Sequence, residues 1–316
     1  MTIPTRLPAP IPTSISEAAQ RYLALPTIDP PTYPALDDIA GWLTLVEQRN
    51  HSIAQRFTDD GLPVTAERRE MAGVGTYVLR ADGVSDIDTT PIYLDMHGGA
   101  LIFGAGDLTR VWGSMTAVTN QMITWSIDYR MPPLNPYPAA LDDCLAVYRA
   151  VLELRDPADI FVGGASSGGN LAAALLVRAR DEGLPMPAAL VLLTPAVDLT
   201  ESGDTFQTLD GVDSGMRGQM TVNLLYANGH DLTDPYLSPL FADVSGFPPT
   251  FLQSGTRDLL LSNTVRMHRK LLAAGVDAEL HVFEAMPHTG FGGSAPEDIE
   301  LDAAIRTFLD KHRRAS

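Results

Sequence analysis

Residues 163–170 read GGASSGGN, four glycines around two adjacent serines, directly after the apolar run DIFV. Glycine loses more freedom on folding than any other residue, so such a cluster marks either a loose turn or a backbone that only glycine can follow. Three glycine-rich loops carry chemistry at the end of a strand. The phosphate-binding loop needs a lysine that is absent here, and the dinucleotide fingerprint starting at Gly163 fails at Ala165. The pattern G-x-S-x-G fits Gly164-Ala165-Ser166-Ser167-Gly168, a tight turn that lifts a serine nucleophile out of the backbone. Register also separates the two serines. Ser167 as nucleophile would require glycine at position 165, so Ser166 is the candidate.

Taken alone, five residues with three fixed positions also describe an ordinary strand-to-helix turn. Two further features favour the chemical reading. In YLDMHGGALIFG, residues 93–104, His97-Gly98-Gly99 follows a strand, and paired glycines there let N–H groups face a developing negative charge. Together with the N–H of Ser167, Gly98 and Gly99 are the candidate oxyanion donors. The second feature is order along the chain. Asp258 in FLQSGTRDLLL follows the seventh strand-like run, and His288 in HVFEAMPHTGF follows the eighth. A lone aspartate is usually a surface charge, and a lone loop histidine is usually solvated. The order Ser, Asp, His at successive strand ends is the order in which a hydrolytic triad is laid out on a parallel sheet. Of the other histidines, His281 lies in a strand-like run, His51, His268 and His312 in helical ones, and His230 in an irregular segment. His97 reads as a residue that positions its loop, because no cluster at metal-ligand spacing surrounds it. No metal or other cofactor is expected.

The elements that must hold these groups are legible in outline. Residues 15–57 carry two helical patterns, the first capped by Ser16. Short strand-like runs follow: PVTAERREM, GTYVLRA, PIYLDM, QMITWSIDY, DIFVGG, AALVLLTP, PTFLQSG and AELHVFE. Helical runs separate most of the later ones, although the segment between PIYLDM and QMITWSIDY is assigned no element. Alternation of this kind predicts an α/β fold, a mostly parallel sheet of eight strands covered by helices on both faces. Residues 200–247 interrupt it without a strand signal and read as a helical insertion. The expected organisation is an N-terminal helical part of a cap (1–57), a first core part (58–199), the cap insertion (200–247) and a second core part (248–316).

Composition bounds the rest. The 316 residues are 45% hydrophobic and carry a formal net charge of −17, which excludes the basic face that a nucleic acid would require. Lys270 and Lys311 are the only lysines, which reads as compositional bias. The single cysteine, Cys144, lies in a helical pattern and permits no disulfide within the chain. The proline-rich start lacks a basic segment followed by an apolar core, and no apolar run reaches 18 residues, so a cytoplasmic protein with no membrane partner is expected.

Seven pieces together resemble the bacterial hormone-sensitive-lipase group of α/β-hydrolases. They are HGGA, DYRMPPLNPYPAALDD, GGASSGGNLAA, TPAVDLT, DPYLSPLFAD, SGTRDLLL and MPHTGF, and the resemblance they carry covers nearly the whole chain. The resemblance implies an eight-stranded α/β-hydrolase sheet, a helical cap and hydrolysis of carboxylic esters. It places Ser166, Asp258 and His288 on the triad, and Gly98, Gly99 and Ser167 on the oxyanion donors. Four positions depart from the family pattern: Ala100 stands where a third loop glycine is usual, Ala165 and Ser167 flank the serine, and Asn135 replaces a usual Glu. These bear on substrate preference. A pocket walled by Ala100 and by Trp42, Phe206, Met216, Met220 and Tyr226 favours a short acyl chain. The partner is then a small ester or lactone, and a homodimer is compatible with the chain. A lactone hydrolase with the same triad is one rival reading. A ligand receptor on the same fold is another, although such a receptor usually lacks the histidine.

Overall fold

A computed structural model describes residues 9–26, 32–85, 90–288 and 290–314. Most of the proline-rich start falls outside these ranges. Ser16 caps α1 (Glu17–Leu23), its hydroxyl accepting the N–H of Ala19, and Asp38 does the same for Gly41 at the start of α2 (Ile39–Ala54). Then come β1 (Val64–Met71), β2 (Val74–Ala81) and β3 (Ile92–Met96), followed by α3 (Asp107–Asn120) and β4 (Ile123–Ile127). Next are α4 (Ala139–Leu152), β5 (Ile160–Ala165), α5 (Ser167–Asp181) and β6 (Ala189–Leu193). Two short helices, α6 (Thr205–Thr208) and α7 (Met220–Ala227), lie in the insertion. The chain closes with β7 (Thr250–Gly255), α8 (Leu261–Ala273), β8 (Ala278–Phe283) and α9 (Pro296–His312).

All eight strand-like runs are strands of one sheet, in the order β1-β2-β4-β3-β5-β6-β7-β8. The β1–β2 and β2–β4 pairs are antiparallel and every other pair is parallel. Central strands are buried throughout because both of their faces are covered. The two-residue period shows in what each face buries. Leu94, Val162 and Leu192 join the large core under α4, α5 and α8, whereas Tyr93, Phe161 and Val191 meet Ile305, Phe308 and Leu309 of α9 on the other side. β1, with its Glu and Arg residues exposed, is a charged edge that discourages further pairing.

One helix, α3, has no counterpart in the sequence reading. Its contact face mixes apolar residues with small and polar ones: Leu108, Val111 and Ala117 are buried together with Thr109, Gly113 and Ser114. A Cβ on Gly113 would collide with Leu79 and Ser126, so the glycine lets the helix lie directly on β2 and β4. Its apolar residues Leu108, Val111, Met115 and Val118 do recur at helical spacing in the sequence, but glycine, serine and threonines interrupt them.

The chain order turns over at β3. From there it moves to β4 on one side, then crosses back to β5 on the other. Such a switch point leaves a crevice beyond the carboxyl ends of the strands, and β3 and β5 are the two that lead into HGGA and GGASSGGN. Over this end, α2 meets the insertion through a cluster of Trp42, Ile102, Val222 and Leu225. α1 lies elsewhere. Its Ile15 and Ala19 sit with Ala285, Met286, Phe291 and Ala295, and Ser16 donates through both its N–H and its hydroxyl to Glu297, each at 2.7 Å. Among the described residues, no helix is long and apolar enough to cross a membrane.

Candidate active site

Ser166 has φ +56° and ψ −120°, a backbone conformation that costs a non-glycine residue about 1–3 kcal/mol. Its surroundings hold it there. The Ser166 N–H donates to Leu193 O at 2.8 Å, and Ser166 O accepts from Ala196 N–H at 3.0 Å. A Cβ on Gly164 would run into Met96 O and the Gly168 backbone, and one on Gly168 into the carbonyl oxygens of Met96 and His97. The glycines of G-x-S-x-G are thus demanded by close approach of β3 to the turn. Asn170, to which the sequence reading gave no role, donates through Nδ2 to Ala196 O and Leu237 O, both at 2.8 Å, and locks the turn to the insertion.

His288 Nε2 lies 2.9 Å from Ser166 Oγ, and His288 Nδ1 lies 3.0 Å from Asp258 Oδ1. Residues 122 and 30 positions apart thereby form one relay. Asp258 is fully buried and is also anchored by the Ser254 hydroxyl at 2.5 Å and the Leu260 N–H at 2.9 Å. The loops bearing Asp258 and His288 are laced together: Arg257 N–H donates to Met286 O at 3.2 Å and Ala285 N–H to Thr256 Oγ1 at 2.7 Å. Gly255 allows this, since a Cβ there would strike Met286 O. Burial pushes the His288 imidazole toward its neutral form. The Asp258 carboxylate, by charge and hydrogen bond, and then Asp213 outweigh that, and the net shift is upward.

The Gly98 loop closes the other side. A Cβ on Gly98 would lie 3.2 Å from Ala165 O and 3.7 Å from Ser166 Cβ, which puts this backbone against the serine. Gly99, Ala100 and Leu101 all have positive φ, and Gly99 O accepts the N–H groups of Ile102 and Phe103. Ser167 opens α5, so its N–H belongs to the turn that has no acceptor within the helix. His97 does not join the relay. Its ring stacks on Tyr129 at 4.2 Å, its Nδ1 is 2.6 Å from Gly98 O, and the Tyr129 hydroxyl donates to His97 O at 2.8 Å. Burial lowers its pKa to about 4, so it is a neutral fixture of the loop. Among the described residues, no three or more His, Cys, Asp or Glu side chains gather in a way that could hold a metal ion.

Residues 93–291 match a family model described as the alpha/beta hydrolase fold. The chain belongs to that family. It is 34% identical over 232 residues to a carboxylesterase, NlhH, of Mycobacterium tuberculosis, a match covering 66% of this chain and 72% of that one. The solved structure of an esterase E25 superposes with a TM-score of 0.91 at 34% identity over 99% of both chains. That of an esterase from the bacterial hormone-sensitive lipase family does so with 0.75 at 33% identity, over 93% of this chain and 95% of the other.

In this α/β-hydrolase the residues read as pocket walls fall into separate places. Trp42 is fully buried and stacks on Tyr33 at 5.6 Å, in the cluster that also takes up Ala100 and Phe103 of the Gly98 loop. Phe206 and Met216 pack with Leu259 and Leu260, just past Asp258. Met220 lines a cavity of about 360 Å³ with Tyr33, Glu201 and Thr221. Tyr226 is brought to none of these. It is fully buried in the large core beside Tyr137, with ring centroids 5.9 Å apart. The hydrolase site also contains a residue the sequence did not single out, Asp213, whose carboxylate accepts the N–H groups of Leu259 at 2.7 Å and His288 at 3.3 Å.

Proposed function

We propose that the chain is a carboxylic ester hydrolase that works through Ser166, His288 and Asp258. The observation that carries this reading is the relay itself, with separations of 2.9 and 3.0 Å, at the switch point of the sheet. Ser166 Oγ attacks the ester carbonyl carbon while its proton passes to His288 Nε2. Asp258 keeps the Nδ1 proton facing itself and stabilises the imidazolium. The carbonyl oxygen, now negative, takes hydrogen bonds from the N–H groups of Gly98 or Gly99 and of Ser167. Each such donor is worth roughly 10²–10³ in rate. His288 then gives the proton to the departing alkoxide, and water, deprotonated by the same imidazole, releases the acid from the acyl-serine.

Of the cap expected from residues 1–57 and 200–247, the part that lies over the site, α2 with the insertion, limits the acyl group. Ala100 adds a methyl beside the reacting carbonyl, and Trp42, stacked on Tyr33, fills the space behind the loop. A closed apolar pocket gains roughly 0.8 kcal/mol per buried CH₂ until overpacking reverses the trend. Acyl chains of roughly two to six carbons are therefore expected to give the highest kcat/KM. The measurement is kcat/KM across p-nitrophenyl esters from acetate to palmitate, with one lactone included. An optimum at palmitate would overturn the short pocket, preference for the lactone would move the substrate class, and no turnover of any member would make the protein a receptor.

A further inference from the structure

Asp213 belongs to the insertion, between α6 and α7, yet it ends in the middle of the relay. It has no exposed surface and forms no ion pair with Lys or Arg among the described residues. Its Oδ2 accepts Leu259 N–H at 2.7 Å, and its Oδ1 accepts Gly215 N–H at 2.8 Å and His288 N–H at 3.3 Å. The bond to Gly215, two residues on, is a local turn contact and would serve the insertion alone. The other two go to the residue that follows the triad acid and to the triad base itself. All three partners are N–H donors, and an amide in this place would turn its own N–H₂ toward at least one of them.

We propose that Asp213 is a positioning residue for the acid–base pair, fixing the separation of the Asp258 and His288 loops from the cap side and supporting the imidazolium with a second negative charge. This rests on the hydrolase reading above. The groups around His288 are Asp258, from the loop after β7, on its Nδ1, Ser166, from the elbow, on its Nε2, and Asp213, from the insertion, on its backbone N–H. Burial raises the pKa of Asp213 to about 6, an effect that His288 opposes and Asp258 reinforces. Near neutral pH the carboxylate is mostly ionised, and its charge favours the protonated ring.

Asp213→Asn and Asp213→Glu, assayed with p-nitrophenyl butyrate from about pH 5 to about pH 9, test this, together with NMR titration of ¹⁵N-labelled histidine. In Asp213→Asn, kcat is expected to fall roughly ten- to a hundredfold with KM little changed, because the reacting groups lose their spacing while the pocket remains. The acid limb of kcat/KM should move to lower pH, since an imidazole without the second charge gives up its proton more easily. Asp213→Glu should hold the limb where the wild type has it. Wild-type kcat and an unmoved limb in Asp213→Asn, beside turnover that Ser166→Ala abolishes, would overturn the positioning role and leave the hydrolase intact. If the wild type itself shows no Ser166-dependent turnover, the hydrolase reading falls, and an unmoved His288 titration in Asp213→Asn removes the positioning role too. Should Asp213→Asn fail to fold, wild-type protein labelled with ¹³C-aspartate decides. A shared inflection in the Asp213 carboxyl and His288 ring signals supports the pairing, and independent titrations reject it.

Discussion

Ser166→Ala is expected to lower kcat for ester hydrolysis by roughly 10⁶, the size of effect seen when the nucleophile of a serine triad is removed. The hydroxyl is the only atom that changes, and the nucleophile and proton donor go with it. The strained backbone is set by Gly164, Gly168 and the bonds to Leu193 and Ala196, none of which the substitution touches. The fold should therefore persist, and the melting temperature should match or exceed that of the wild type. Ser167→Ala is the matched comparison. It keeps the N–H at the start of α5 and should retain most activity. Steady-state kinetics of both variants, with circular dichroism melts, check the result. An active Ser166→Ala would show that the elbow is only a turn.

Asp258→Asn is expected to lower kcat by roughly 10³–10⁴. Asp258 Oδ1 faces two donors, His288 Nδ1–H and Leu260 N–H, whereas Oδ2 faces the Ser254 hydroxyl, which can turn to accept. An asparagine that puts its oxygen in the Oδ1 place keeps both donors and the ring tautomer, but it no longer offsets the imidazolium charge. One that flips presents N–H₂ to the imidazole and strands the Leu260 N–H. Either way the base is weakened, and the first arrangement, being less costly, sets the smaller loss. A variant that melts normally and keeps full activity would transfer the acid's role to Asp213, the other buried carboxylate beside His288.

What the sequence revealed depended on whether a residue's role is written in its neighbours. Strand runs bounded by Gly, Pro and Asp were readable one by one, including the charged edge β1. Ser166 was fixed by glycine register, and Asp258 and His288 by their place after successive strands. α3 was hard to read although Leu108, Val111, Met115 and Val118 recur at helical spacing, because the Thr109, Gly113 and Ser114 that also seat it on the sheet dilute that stripe. Asp213 had no signal. It stands in DGVDSG, beside Asp210, and only the folded chain makes one aspartate central and ion-pairs the other with Arg217 within the insertion. Bulk and hydrophobicity marked Tyr226 as readily as Trp42, since they say that a residue is buried but not which cavity it fills.

The small cluster under α1 has a consequence for heat. The loop that carries His288 is covered on that side by Ala19 of a seven-residue helix and by Ile15 just before it, tied down by Ser16 and Glu297. This patch is separate from the large core, and regions with few buried apolar contacts open at lower free energy than the molecule as a whole. Release of α1 would let the imidazole wander from Ser166 while the sheet stayed intact. Thermal inactivation should then precede melting, with the midpoint for lost hydrolysis a few degrees, on the order of 5 °C, below the midpoint for lost secondary structure. Activity would return on cooling, because nothing in the core had yet come apart.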